Sequence, residues 1–231
     1  MAEEDPQATA RAAAAGTAVD EVREGMTIGL GSGRAVEAVI EAIVERWPEG
    51  PPVRAAVAAE QTEETARSSG LEVIELDGSS RLDVVIDGAD EFDAELNLVK
   101  GGGGALLREK LLFAACDRFV VVVEDEKRVG RLGETRRLPV EIVRFAWQDT
   151  RGRVEEILEE PSLRETDSGE PFVTDEGHFL LDCVLPSSAD LSHVAERVKQ
   201  ITGVVEHGLF LNAADAVLVG RGDGGVETLT P

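Results

Sequence analysis

Apolar residues occur along the chain in two arrangements, either at helical spacing or in short, nearly unbroken runs. Helical spacing is found over residues 7–24, 36–44 and 106–116. The short apolar runs lie at residues 26–30, 53–57, 71–76, 84–86 and 119–123. Runs without alternating polar residues are typical of parallel strands covered by helices on both faces. The pattern therefore predicts an α/β domain with a doubly wound, mostly parallel sheet.

The pattern changes near residue 133. The predicted elements that follow are a strand at 138–143, a helix at 149–159, short strands at 162–164 and 172–173, a strand at 178–184 and a helix at 189–201. This order is typical of a small α+β domain of the split, ferredoxin-like type. We predict that residues 1–132 plus 206–231 form a Rossmann-like domain and that the small domain, residues 133–205, is inserted into it.

The stretch 82–110 combines several features of a ligand site. The apolar run at 84–86 ends directly in DGADEFD, residues 87–93, which contains four acids. KGGGG follows at 100–104 and precedes a predicted helix. Taken singly, these features also describe a solvated turn, a flexible loop and a surface helix. Their combination places carboxylates, a lysine and an anion-binding loop where open α/β sheets bind ligands.

A second glycine turn, GLGSGR at residues 29–34, follows a predicted strand and opens the helix at 36–44. Strand, glycine turn and helix are typical of a phosphate-binding loop, because the first amides of a helix point at the anion. The same pattern occurs in many βα turns, and the full GxGxxG spacing of a dinucleotide site is missing.

Charge restricts the partners. The 231 residues include 46 Asp and Glu against 23 Lys and Arg, for a formal charge of −23. This charge disfavours nucleic acid and anionic membranes, and an anionic substrate requires a local cationic site. Together with few lysines and 4% aromatic residues, it predicts adaptation to high salt. The alternative is an ordinary acidic protein that its charge keeps soluble.

The sequence also gives expectations for the location of the protein, for the state of its cysteines and for metal binding. No apolar run reaches the roughly 18 residues of a membrane span and no signal peptide is visible, so we expect a cytoplasmic protein. Cys116 and Cys183 lie in apolar segments, which indicates reduced thiols in the core. The histidines are scattered and the acids of residues 87–93 lack the pattern of a calcium loop, so we expect no metal and no cofactor.

DGADE at 87–91 and KGGGGALLREK at 100–110 together resemble the signature of the A-type ribose-5-phosphate isomerase family. GVVEHGLF at 203–210 resembles its second signature, in which we interpret His207 as structural. The resemblance implies an aldose–ketose isomerase of the non-oxidative pentose phosphate pathway. Such an enzyme interconverts D-ribose 5-phosphate and D-ribulose 5-phosphate through an enediolate, without a cofactor, as a homodimer or homotetramer.

The resemblance also implies roles for individual residues. Glu109 is the base that moves a proton between C2 and C1, Lys100 stabilises the oxyanion, and Asp87 acts in ring opening. The implied substrate-binding residues are Ser32, Gly33, Arg34, Ala35, Asp87, Gly88, Ala89, Asp90, Lys100, Gly101, Gly102, Gly103 and Lys127. The residues by themselves support only a carboxylate-plus-lysine site on a loop.

One loop departs from the family. The phosphate loop of the family has the sequence GTGST. In this chain, the positions of its Thr, Ser and Thr are occupied by Ser32, Arg34 and Ala35. Two hydroxyls are missing, and Arg34 offers a charge-assisted contact instead. Two alternatives therefore stay open, a non-catalytic sugar-phosphate sensor of the same fold and an isomerase for another phosphorylated sugar. The retained Asp, Asp, Lys and Glu favour the enzyme.

Overall fold

The computed structural model describes residues 5–79 and 81–231. Its helices are α1 (Pro6–Val19), α2 (Gly33–Arg46), α3 (Glu60–Ser68), α4 (Leu106–Ala114), α5 (Trp147–Val154) and α6 (Leu191–Lys199). Its strands are β1 (Thr27–Leu30), β2 (Arg54–Val57), β3 (Glu72–Val73), β4 (Val84–Asp87), β5 (Glu91–Phe92), β6 (Leu98–Val99), β7 (Phe119–Glu124), β8 (Leu138–Ile142), β9 (Glu159–Leu163), β10 (Phe179–Val184), β11 (Val204–His207), β12 (Leu209–Phe210), β13 (Ala216–Gly220) and β14 (Val226–Leu229).

The chain forms two compact units. The first consists of the residues up to Ala89, Arg108–Arg128 and Ala213–Pro231. The second consists of Asp90–Leu107 and Val129–Asn212. The sequence-based division stays a prediction, with one domain at 1–132 plus 206–231 and the other at 133–205. The two compact units differ from it mainly because residues 90–107 belong to the second unit.

A seven-stranded sheet forms the centre of the first unit. Its order is β14-β13-β7-β4-β1-β2-β3, and only β14 runs antiparallel to its neighbour. Every residue of β1, β4 and β7 is buried, so both faces of the sheet are covered, which confirms the predicted α/β class. Helices α1 and α2 pack through Ala14, Ala18, Val39 and Ile40 into the core of this unit.

The second unit contains two antiparallel sheets. The larger has the order β11-β8-β10-β9, and α5 and α6 connect its strands in the chain order βαββαβ. This is the split arrangement expected of a ferredoxin-like domain. The smaller sheet has the order β12-β6-β5. Apolar residues of β8, β10 and α6 form the core of this unit, including Val140, Leu181 and Val198.

Two predicted elements differ from the structure. The helix predicted at 149–159 ends at Val154, and residues 159–163 form β9 instead. Pro161 explains the change, because proline disfavours helical backbone before it and is tolerated in an edge strand such as β9. Residues 172–173 form no strand, since Pro171 has no N–H to continue a ladder and makes only a single bridge with Glu165.

None of the helices in the described part of the chain combines the length and the hydropathy that a bilayer crossing requires.

Candidate active site

The middle of the seven-stranded sheet contains a topological switch point. From β1 the chain proceeds through α2 to β2 on one side, whereas β4, on the other side of β1, leads on to β7. Two connections that diverge in this way leave a crevice at the carboxyl ends of their strands, and ligands of open α/β sheets bind there. The residues at this position are Gly31 to Ala35 after β1 and Asp87 to Ala89 at the end of β4.

The carboxylate of Asp87 lies inside this turn and is only 1% exposed. It accepts hydrogen bonds from the backbone N–H groups of Ser32 at 3.2 Å and Gly88 at 2.7 Å. A Cβ on Gly31 would lie 1.8 Å from the Asp87 carboxyl carbon, so only glycine lets the backbone come this close. Backbone donors stabilise the buried charge, which makes Asp87 a fixed acceptor at the end of the strand.

Glu109 is another buried carboxylate of the first unit. It lies in the first turn of α4, where the helix dipole favours an anion, and its exposure is 3%. The Ser32 hydroxyl donates a hydrogen bond of 2.7 Å to Glu109 Oε1. Ser32 precedes α2 but makes no side-chain capping bond there. It thus connects both acids, through its N–H to Asp87 and through its hydroxyl to Glu109.

Two cationic side chains lie at the same edge of this sheet. Arg34 is exposed in the first turn of α2, beside Gly33 and Ala35, and no hydrogen bond or ion pair holds its guanidinium in the described part of the chain. Lys127 is half-buried in a short 3₁₀ helix, Asp125–Lys127, directly after β7. A helix N-terminus with a nearby guanidinium is suited to bind phosphate.

The remaining candidate residues belong to the second unit. Lys100 is 3% exposed, and its ammonium lies 5.6 Å from the centre of the Phe210 ring. The Lys100 N–H donates to the Gly208 carbonyl at 2.9 Å. A Cβ on Gly208 would come within 2.2 Å of the Lys100 carbonyl oxygen. The second signature therefore packs directly against the lysine of the first.

The glycine loop, residues 101–104, has conformations that only glycine adopts easily. Gly101 and Gly104 have φ angles of +100° and +93°. The Gly102 N–H donates to Asp90 Oδ2 at 2.7 Å, and a Cβ on Gly102 would lie 2.5 Å from the other oxygen of that carboxylate. The loop and Asp90 thus form one closely packed group, with Gly102 and Gly103 exposed.

Two acids of residues 87–93 have a structural explanation that the sequence did not reveal. Glu91 is fully buried and accepts hydrogen bonds from the N–H groups of Gly133, Thr135 and Arg136 and from the Thr135 hydroxyl. Asp93 accepts from the backbone of Glu95 and Asn97 and from the Asn97 side chain. Both carboxylates stabilise loops of the second unit. Across residues 5–79 and 81–231, no three His, Cys, Asp or Glu side chains are grouped to hold a metal.

Cys183 and His207 are buried, and Cys116 is half-buried. Burial raises the pKa of Cys183 to about 12 and also raises the pKa of Cys116, with Asp215 adding to the second shift. Neither thiol therefore ionises near neutral pH. His207 is 6% exposed, and its Nδ1 accepts the N–H of Leu209 at 3.2 Å.

Comparison with known proteins identifies the group to which the chain is related. Residues 55–224 match the family of ribose 5-phosphate isomerase A, also called phosphoriboisomerase A. A Cereibacter sphaeroides protein named ribose-5-phosphate isomerase A is 44% identical over 97% of this chain and 92% of its own length.

Two solved structures agree. A ribose 5-phosphate isomerase from Plasmodium falciparum superposes with a TM-score of 0.90 at 34% identity, over 97% of this chain and 99% of that one. A D-ribose-5-phosphate isomerase in complex with phospho-erythronic acid gives a TM-score of 0.92 at 29% identity, with the same coverage. The chain therefore belongs to the ribose 5-phosphate isomerase A family.

Proposed function

We propose that the protein interconverts D-ribose 5-phosphate and D-ribulose 5-phosphate. One observation carries the proposal: the chain is 44% identical, over 97% of its length, to a protein named for this activity. The phospho-erythronic acid bound by a related structure is a phosphorylated sugar acid, which supports a phosphorylated sugar as the substrate.

Glu109 is the proposed base. The reaction removes a proton from C2, forms an enediolate and returns a proton to C1, so one carboxylate can serve both steps. The hydroxyl of Ser32 holds one oxygen of Glu109 and thereby fixes the orientation of the carboxylate. We assign Ser32 a role in positioning the base in addition to the substrate contact implied by the family.

Stabilisation of the enediolate requires a cation or hydrogen-bond donors at its oxygens. We propose Lys100 for this role, and Asp87 and Asp90 as acceptors for the sugar hydroxyls and for ring opening. Only Gly88 and Ala89 separate the two aspartates in the chain, so covalent geometry keeps their Cα atoms within about 11 Å of each other.

The phosphate is assigned to the N-terminus of α2. Gly33, Arg34 and Ala35 form its first turn, where N–H groups point outward toward an anion. The exposed Arg34 guanidinium supplies the charge-assisted contact that replaces the missing hydroxyls, and Lys127 at the same edge of the sheet supplies a second cation. These two cations offset the negative charge of the rest of the protein locally.

The decisive experiment is the rate of ribulose 5-phosphate formation from ribose 5-phosphate by wild type and by Glu109→Gln. Loss of a positioned acid or base typically costs about 10²–10⁴-fold in rate. The exposed helical Glu41→Gln is the matched control and should retain full activity. A Glu109→Gln enzyme as fast as wild type would contradict the assignment of the base. Ribose 5-phosphate binding without turnover by wild type would instead indicate a sensor.

The proposal also covers the choice of sugar, the oligomeric state and the location of the protein. A larger kcat/KM for another phosphorylated sugar than for ribose 5-phosphate would transfer the assignment to that sugar, and the altered loop around Arg34 makes the comparison worthwhile. We further propose a homodimer or homotetramer, which sedimentation equilibrium would distinguish from a monomer, and a cytoplasmic location.

A further inference from the structure

Arg164 follows β9 and contacts the glycine loop within the second unit. Its Nη1 donates to the carbonyl oxygens of Gly101 at 3.0 Å and Gly102 at 2.9 Å. Its other two nitrogens bind both oxygens of Asp182, with Nε 2.9 Å from Oδ2. The Arg164 and Asp182 side chains are only 14% and 22% exposed. Every nitrogen of this guanidinium is therefore committed, one to the loop and two to the carboxylate behind it.

The two carbonyl contacts fix the directions in which the N–H groups of the loop point, because the peptide group is planar. In a planar trans peptide the C=O of one residue and the N–H of the next point in opposite directions. The guanidinium that holds the Gly101 carbonyl therefore aims the Gly102 N–H away from itself, and that N–H donates to Asp90. Arg164 and Asp90 thus lie on opposite sides of one peptide plane.

The same reasoning applies to the next peptide. Because the Gly102 carbonyl also points at Arg164, the Gly103 N–H points away from it, toward the side of the loop where the Asp90 carboxylate lies. Gly103 is exposed, and no group in the described part of the chain accepts its N–H. One acceptor and one donor thus face the same side of an exposed loop.

We propose that Arg164, held by Asp182, is a positioning residue for the isomerisation. It fixes the glycine loop so that the Asp90 carboxylate and the Gly103 N–H are presented together to the oxygen atoms of the sugar phosphate. This inference rests on the proposed function. Lysine cannot replace arginine here, because one ammonium lacks the planar fork that engages a carboxylate and two carbonyls at once.

Arg164→Lys and Asp182→Asn test the proposal in the full-length protein with ribose 5-phosphate. A misplacement of about 1 Å in a site can cost about 10²-fold in rate, so we expect kcat to fall by up to that factor while the folded fraction stays that of wild type. For Arg164→Ala, added guanidinium at non-denaturing concentration should restore part of the lost kcat. A side chain that only stabilises the fold would lower the amount of active enzyme and leave kcat per folded molecule unchanged.

Arg137→Ala is the matched control. Arg137 contacts the Asp182 carbonyl and Glu160 but not the glycine loop, so its loss should leave kcat unchanged and guanidinium should have no effect. Amide hydrogen exchange of Gly102 and Gly104, whose N–H groups donate to Asp90 and to the Gly101 carbonyl, should accelerate in Arg164→Lys and stay as in wild type in Arg137→Ala. Unchanged kcat in folded Arg164→Lys, or unchanged exchange in the loop, would overturn the inference. An inactive wild type would overturn the proposed function instead, and the exchange measurement would still test the loop contact.

Discussion

Replacement of Gly31 by alanine tests the close contact between the β1 turn and Asp87. The new Cβ would lie 1.8 Å from the carboxyl carbon of Asp87 and 1.9 Å from its Oδ1. Non-bonded carbon atoms require roughly 3.5 Å, so the carboxylate or the turn must move by roughly 1.7 Å. The atom in the way belongs to a buried carboxylate that two backbone N–H groups hold, which leaves little room for adjustment.

The expected cost follows from those two hydrogen bonds. A shift of this size breaks or weakens the bonds from Ser32 and Gly88, and hydrogen bonds to charged groups contribute about 1.5–3 kcal/mol each. With partial relaxation, the free energy of unfolding should fall by about 3 kcal/mol, with an upper limit of about 6 kcal/mol when both bonds are lost. Because Ser32 also holds Glu109, kcat/KM should fall by about 10²-fold or more.

Urea unfolding and the ribose 5-phosphate assay measure the two effects separately. Gly16→Ala is the control, because Gly16 lies exposed within α1 and a Cβ there meets no atom within 4 Å. Removal of a glycine from a helix should stabilise the protein by about 0.5–1 kcal/mol and leave activity unchanged. A Gly31→Ala protein with the stability and kcat/KM of wild type would refute the argument that this turn holds the carboxylate.

Four further predictions concern charge and the thiols. Arg34→Ala should raise KM with a smaller change in kcat, whereas Arg34→Lys should retain part of the affinity; an unchanged KM would remove Arg34 from the phosphate site. Burial raises the pKa of Cys183 to about 12 and that of Cys116 above its usual value, so both thiols should react slowly with a disulfide reagent at pH 8 and rapidly after unfolding. Because the pKa of these thiols is higher in the folded state than in the unfolded state, the unfolded state loses their protons first as the pH rises. The free energy of unfolding should therefore fall once the pH passes roughly 8.5, and it should fall less steeply in Cys183→Ala. The charge of −23 predicts that the thermal midpoint rises between about 0.1 M and 1 M potassium chloride, as the screening length falls from about 10 Å to 3 Å; a flat profile would contradict salt adaptation.

Local patterns predicted the backbone of the site well. The apolar run before Asp87 predicted a buried strand, because a buried strand consists of consecutive apolar residues. The glycines at 101–104 predicted a loop before a helix, because backbone with positive φ favours glycine. The parallel sheet followed from the same unbroken runs, since strands covered on both faces contain no polar alternation.

The side-chain contacts of the site lie beyond such patterns. Ser32 reaches Glu109 across 77 positions, and Arg164 reaches Gly102 across 62. From the sequence, Ser32 is predicted to be part of a phosphate turn and Arg164 to be the last residue of a short strand. Only the tertiary packing of segments that are distant in the chain brings these partners within hydrogen-bond distance, and no local propensity encodes that packing.

The structural role of Glu91 bears on how related sequences are interpreted. It stands among the acids of the signature, yet its four hydrogen bonds go to residues 133–136, and its loss would remove the acceptor that holds this loop. A descendant that lost the activity but kept the fold would still be under selection to keep Glu91. The presence of that glutamate in a relative therefore indicates an intact fold and is no evidence that the relative is active.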